Sequence, residues 1–292
     1  MTRTMNTTRA LAALTLGLGL FPAGCLYGGD GSDVEAIGSI PLETLGDDNG
    51  QSGNNGLDVG EFHANKGKLL NVLALPLFVD GSPDVLTANP MPLFVNNDNT
   101  INEAGRRTFG YAVKCARPAA SMVTDAGGGK YEGDGFLDDL FNIWPSFGLN
   151  GGQQMDVMAC IATHLNPAIV SVPLFLTGPA IQTVKNNVDE GFTWKEALWA
   201  AEWNAAGLLK IHVWPLPDLR SRCHALTKGV MTTRVCGEGE SCGLEVHETL
   251  DGCTGPATNY YNTCTVNGVT KNVIQSWLDP DFLPDYYNCP PQ

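Results

Sequence analysis

Hydrophobic and polar positions divide the chain into stretches of different texture. Ala10 to Phe21 is an apolar run broken only by Thr15, Gly17 and Gly19. Leu26 to roughly Gly67 is rich in Gly, Asp, Asn and Ser, and carries no Lys or Arg before Lys66. Three proline-containing apolar segments come next, Leu75–Val79, Met91–Val95 and Val172–Leu176, at unequal spacing that argues against a repeat. Proline inside such runs suggests edge strands or extended packing segments. Helical periodicity predicts a helix over about Ile101–Cys115, opened by Thr100-x-x-Glu103, and a second over about Gln153–Leu165 with Val157, Met158, Ile161 and Leu165 as its buried stripe. A third is expected from the capping pattern Thr193-x-x-Glu196 to Gly207. Trp194, Leu198 and Ala201 would lie on one face and Trp199 and Trp203 on the other. From Cys223 onward turns dominate, and Val266-Asn267-Gly268-Val269 predicts a two-residue hairpin, because Asn-Gly accepts positive φ.

The first stretch reads as an address. Arg3 and Arg9 precede the apolar run, which at 12 residues is too short for a bilayer core needing about 20. Such a segment ending in small residues is the pattern of an export signal. Ala23-Gly24-Cys25 resembles the bacterial lipobox, in which the cysteine is diacylated and becomes the first residue, although Pro22 stands where an aliphatic residue is usual. Ordinary cleavage nearby, leaving Cys25 a spare thiol, is the alternative. Nine cysteines are present, so lipidation of Cys25 leaves eight: Cys115, Cys160, Cys223, Cys236, Cys242, Cys253, Cys264 and Cys289. An even set suits complete disulfide pairing outside the cytoplasm. Six of these fall in the last stretch, which leaves Cys115 and Cys160 for each other and would tie the first helix to the second.

Charge narrows the partners. Loss of residues 1–24 removes Arg3 and Arg9 and carries the formal charge from −14 to −16, which disfavours nucleic acid and anionic membrane surfaces. Attachment to a membrane would therefore rest on the lipid. Apolar content of 43% is enough for a substantial core.

Candidate chemistry is sparse. Gly239-Glu240-Ser241-Cys242-Gly243 fits the expression of a hydrolase nucleophile elbow, but no strand-to-helix pattern surrounds it, so a disulfide-flanked turn is favoured. Cys236, Cys242, His224 and His247 offer zinc ligand types, yet Cys236-x5-Cys242 is wider than the usual paired spacing and disulfides are preferred. Asp125, Glu132, Asp134, Asp138 and Asp139 lie in a glycine-rich loop whose oxygens would suit calcium, without the EF-hand spacing; a solvated turn is the simpler reading. His164 sits one helical turn from Cys160 and is a candidate binding residue, although a hydrogen-bonded core-edge histidine is the favoured reading. Trp199 and Trp203 are candidate contacts for a glycan or an envelope protein if exposed, and core residues if not.

The order of features resembles a group of uncharacterised cysteine-containing exported proteins and lipoproteins of myxobacteria. Leu86-Thr87-Ala88-Asn89-Pro90, Arg106-x4-Tyr111-x3-Cys115-Ala116, Ala159-Cys160-x3-His164-Leu165-Asn166, Val172-Pro173-Leu174, Val235-Cys236 and Cys242-Gly243 carry the likeness. The resemblance implies export and a cysteine framework, and no activity. The expected organisation is α+β: a signal peptide at 1–24, a lipidated Cys25 and acidic tether over 25–67, a helical core over 68–216 and a disulfide-rich β lobe over 217–292. The expected function is a non-catalytic envelope protein at the outer membrane or cell surface. It would have a binding or structural role and no required cofactor. The alternative is an exported enzyme, such as a hydrolase using His164 with Glu202.

Overall fold

Helices form where a side chain can satisfy the first free backbone N–H groups. In the computed structural model, which describes residues 52–77, 92–119, 121–125, 128–137, 144, 146–166, 172–179, 181, 192–204, 208–217, 235–236, 243–255 and 260–278, three helices have such caps. Chain order is β1 (Ser52–Asn55), α1 (Val59–Leu73), α2 (Glu103–Ala116), β2 (Met122–Thr124), β3 (Lys130–Glu132), α3 (Gly151–Thr163), β4 (Val172–Thr177), β5 (Trp194–Trp203), β6 (Leu209–Pro215), β7 (Leu244–Val246), β8 (Thr263–Val266), β9 (Val269–Asn272) and β10 (Ile274–Leu278). The fold is α+β, as expected. Among the described residues no helix is long and apolar enough to cross a membrane.

The first two expected helices are present as α2 and α3, with different caps. Asn102, not Thr100, opens α2 by accepting from the Gly105 amide, while Thr100 bonds Asp98. Gly105 is required there, because a Cβ would stand 1.8 Å from the Leu93 carbonyl oxygen. Asn150 and Gln153 form the capping box of α3.

The third expected helix is a strand. Trp194–Trp203 is β5, paired with β6 on one side and β10 on the other. Sandwiched between two layers, its middle is buried on both faces, so apolar residues run without the alternation that marks a half-exposed strand. Ala, Leu and Glu also favour helices intrinsically, a preference of tenths of a kcal/mol that ladder pairing and burial outweigh. Glu196, expected in a capping box, is instead fully buried and accepts from Ser276 Oγ at 2.6 Å.

The main sheet has the order β1-β4-β10-β5-β6-β7, antiparallel except for the parallel β6–β7 pair. β4, expected among edge segments, is paired on both sides. Ala197, Trp199 and Ala201 of β5 face the helical layer, packing with Phe62, Phe109 and Ile161 in the larger core. Leu198 and Ala200 face the other way, into a smaller core with Trp214, Cys264, Val266 and Val273. That second core lies beneath the β8–β9 hairpin, whose Asn267 (φ 51°) and Gly268 (φ 77°) form the expected two-residue turn.

Two expected boundaries move. The span read as tether to residue 67 holds β1 and most of α1, whose Phe62 and Leu69 are fully buried. The signal was available: Asp58 caps α1 by accepting from the Glu61 amide, and Phe62, Leu69, Leu70 and Leu73 supply one apolar stripe. Nor is the stretch from 217 a separate lobe, since β10 inserts between β4 and β5 in the middle of the sheet.

Two disulfides are described. Cys115–Cys160 joins α2 to α3, the pairing expected, and Cys253–Cys264 ties the hairpin to the segment before it. Cys236 is also disulfide-bonded. Cys25, Cys223, Cys242 and Cys289 lie outside the described residues, as do His224, Ser241, Asp138 and Asp139.

Candidate functional site

Residues alternate faces along a strand, so Lys210, His212 and Trp214 of β6 share the face that carries Leu198, Ala200 and Glu202 of β5. The parallel register places Glu245 of β7 beside His212, and His247 follows two residues on, with its amide bonded to the Val213 carbonyl. Near the hairpin this face is apolar. Towards β7 it becomes a cluster of imidazoles and carboxylates centred on His212.

His212 is fully buried. Its Nδ1 lies 3.0 Å from His247 Nε2 and 3.3 Å from Glu245 Oε2. Its Nε2 lies 3.2 Å from Glu202 Oε1, a charge contact set off the ideal hydrogen-bond line. The other oxygens of both carboxylates are engaged by lysines: Lys210 pairs with Glu245 Oε1, and Lys271 of β9 lies 3.0 Å from Glu202 Oε2. Trp214 stacks on the His247 ring at 4.5 Å and 12°, fixing its plane.

The electrostatics follow from this arrangement. Burial lowers the His212 pKa, only partly opposed by Glu202 and Glu245, and burial together with His212 lowers that of His247. Both rings are therefore favoured in the neutral form, with a lone pair to offer. Burial alone would raise the Glu202 pKa, but its contacts with Lys271 and His212 outweigh that and hold it low. Glu245 is open to solvent, with its side chain 39% exposed, whereas Glu202 is 13% exposed.

Apart from Glu202 and His247, the described residues singled out in the sequence lie elsewhere. His164 is fully buried at the end of α3, between the rings of Tyr111 and Phe136, with Nδ1 2.9 Å from the Cys160 carbonyl. It lies against the Cys115–Cys160 disulfide, whose sulfurs are already spent on each other. Glu202, its suggested partner, faces His212 and Lys271 instead. Trp199 is fully buried and donates to Ser276 Oγ at 2.7 Å, while Trp203, at the strand end, is 41% exposed. In the glycine-rich loop, Asp125 is held by Arg106, the Gly129 amide and the Tyr131 hydroxyl, and Asp134 pairs with Lys114.

Sequence reasoning named His247 and Glu202 but gave neither its true neighbours, and it missed His212 and Glu245. The period-two patterns Lys210-x-His212-x-Trp214 and Glu245-x-His247 were the available signal. No protein-family model, curated protein or solved structure matches the chain.

Proposed function

We propose that the chain is an exported, lipid-anchored envelope protein, akin to the myxobacterial group it resembles, whose folded part is a non-catalytic binding module. The observation that carries the binding role is the convergence of Glu202, Glu245 and His247 on the buried His212 at 3.0–3.3 Å. Burying ionisable groups is costly unless they are paired, and two lysines from different strands are committed to holding this set in place. Its partly exposed edge at Glu245 gives a ligand access. The leader, Cys25 and the disulfides Cys115–Cys160 and Cys253–Cys264 support an oxidising, extracytoplasmic location.

The test uses the full chain expressed from its own leader in a lipidating bacterial host. It is expected in the membrane fraction, carrying acyl mass on Cys25 and no titratable thiol in native form. Addition of dialysed and undialysed envelope extract to the purified, ring-labelled protein should move the NMR signals of His212 and His247 and leave those of His164 in place. A cytosolic chain retaining its leader would overturn the location. Signals from His212 and His247 that stay fixed in every fraction would overturn the binding role.

A further inference from the structure

We propose that His212, Glu245 and His247 form a site for one divalent transition-metal ion of the zinc class, with Glu202 orienting His212 from behind. The inference deepens the binding reading above and rests on it.

The three donor atoms, His212 Nδ1, Glu245 Oε2 and His247 Nε2, all lie within 4.8 Å of one another. Ligands about 2.0–2.1 Å from a tetrahedral zinc ion stand about 3.4 Å apart. The separations of 3.0 Å and 3.3 Å fall just short of that value, so an ion would need only small side-chain adjustments. Two imidazoles and one carboxylate form the donor set that suits borderline divalent ions, whereas calcium and magnesium prefer all-oxygen shells.

The surroundings fit a ligand set better than a chance cluster. A metal-binding histidine usually gives its other ring N–H to a carboxylate, which fixes the tautomer. The Glu202 carboxylate stands beside that nitrogen, 3.2 Å from His212 Nε2 though off the hydrogen-bond line, so that a small turn of the ring would bring it into that role, and Lys271 in turn holds Glu202. With the proton on Nε2, the Nδ1 lone pair faces the Glu245 oxygen at 3.3 Å, an arrangement that a cation between them relieves. Lys210 occupies the other oxygen of Glu245 and leaves Oε2 towards the histidines. Stacking on Trp214 sets the His247 plane. The ligands come from two adjacent strands and the residue just past one of them, whose amide is bonded to the Val213 carbonyl, a rigid support, and the exposed side at Glu245 leaves room for exchange and for a further ligand such as water.

The experiment takes the full lipidated chain in detergent, oxidised and stripped with a chelator, and titrates it with zinc against a chromophoric competitor. One equivalent should bind, with millimolar calcium and magnesium failing to displace it. Cobalt(II) in place of zinc should give visible bands of a nitrogen/oxygen site, without a thiolate charge-transfer band. His247→Ala and Glu245→Gln should each weaken binding at least 100-fold while retaining the wild-type circular dichroism and both mapped disulfides. Glu202→Ala should weaken it about 10- to 100-fold and shift the cobalt bands, and Glu202→Gln, which keeps an acceptor for Nε2–H, should restore most of the affinity. Absent or substoichiometric binding, binding untouched by His247→Ala and Glu245→Gln, or a thiolate band would each overturn the proposal. If zinc fails while envelope extract still moves the His212 and His247 signals, the metal is refuted and the binding module stands.

Discussion

Removing each described disulfide separately tests how the cross-links hold this fold. Cys115 and Cys160 are 45 residues apart in sequence and fully buried, whereas Cys253 and Cys264 are 11 apart. In the chain-entropy account a cross-link stabilises by restricting the unfolded chain, and its effect grows with the logarithm of the closed loop. That gives about 4 kcal/mol for Cys115–Cys160 and about 3 kcal/mol for Cys253–Cys264 at 25 °C. Replacing two buried sulfurs also leaves a small void between α2 and α3, adding about 1 kcal/mol to the first figure and less to the second, where Cys264 is buried but Cys253 only half-buried. Against a net stability of about 5–15 kcal/mol, loss of the first tie should leave a marginal protein. The assay is urea unfolding of the oxidised double variants C115A/C160A and C253A/C264A, followed by tryptophan fluorescence and circular dichroism together. The expected order is a larger loss for C115A/C160A, by roughly 1–2 kcal/mol. Equal losses, the reverse order, or a loss below about 1 kcal/mol for C115A/C160A would refute the reasoning.

Two further substitutions probe buried polar groups. Trp199→Phe keeps most of the ring volume but removes the indole N–H donated to Ser276 Oγ, which itself donates to Glu196. It should cost about 1–3 kcal/mol, against about 3–5 kcal/mol for Trp199→Ala, and a Trp199→Phe cost close to zero in urea unfolding would show that the hydrogen-bond chain contributes nothing. Burial pushes the Asp156 carboxyl up to about 6, so the folded state holds its proton more tightly than the unfolded chain. The associated stability is complete below about pH 4 and is lost as pH rises through about 6. Asp156→Asn should therefore stabilise by about 1–3 kcal/mol at pH 7 and by almost nothing at pH 3. A gain that is the same at both pH values would contradict the burial effect.

Much of this protein was legible in local chemistry. The α2 and α3 periodicities, the Asn267-Gly268 turn and the Cys115–Cys160 pairing each depend on residues close in sequence or on parity among the cysteines, and the structure contains all of them. Apart from α1, whose local cap and apolar stripe were read as tether, what failed depended on the identity of a distant neighbour. Trp194–Trp203 has helix-favouring residues and an apolar run, and it became a strand because β6 and β10 lie on either side and a layer covers each face. The apparent C-terminal lobe dissolved for the same reason, since β10 completes a sheet whose other strands lie far upstream. The His212 cluster is the extreme case. Glu202, His212, Glu245, His247 and Lys271 come from four strands and the end of β7. Register between β5, β6 and β7, with the β8–β9 hairpin packed over that face, brings charges together that the sequence spreads across 70 residues. Local propensity fixes where a chain turns and caps, but which side chains meet is decided by long-range packing, where burial and ladder bonding outweigh the small intrinsic preference of each residue.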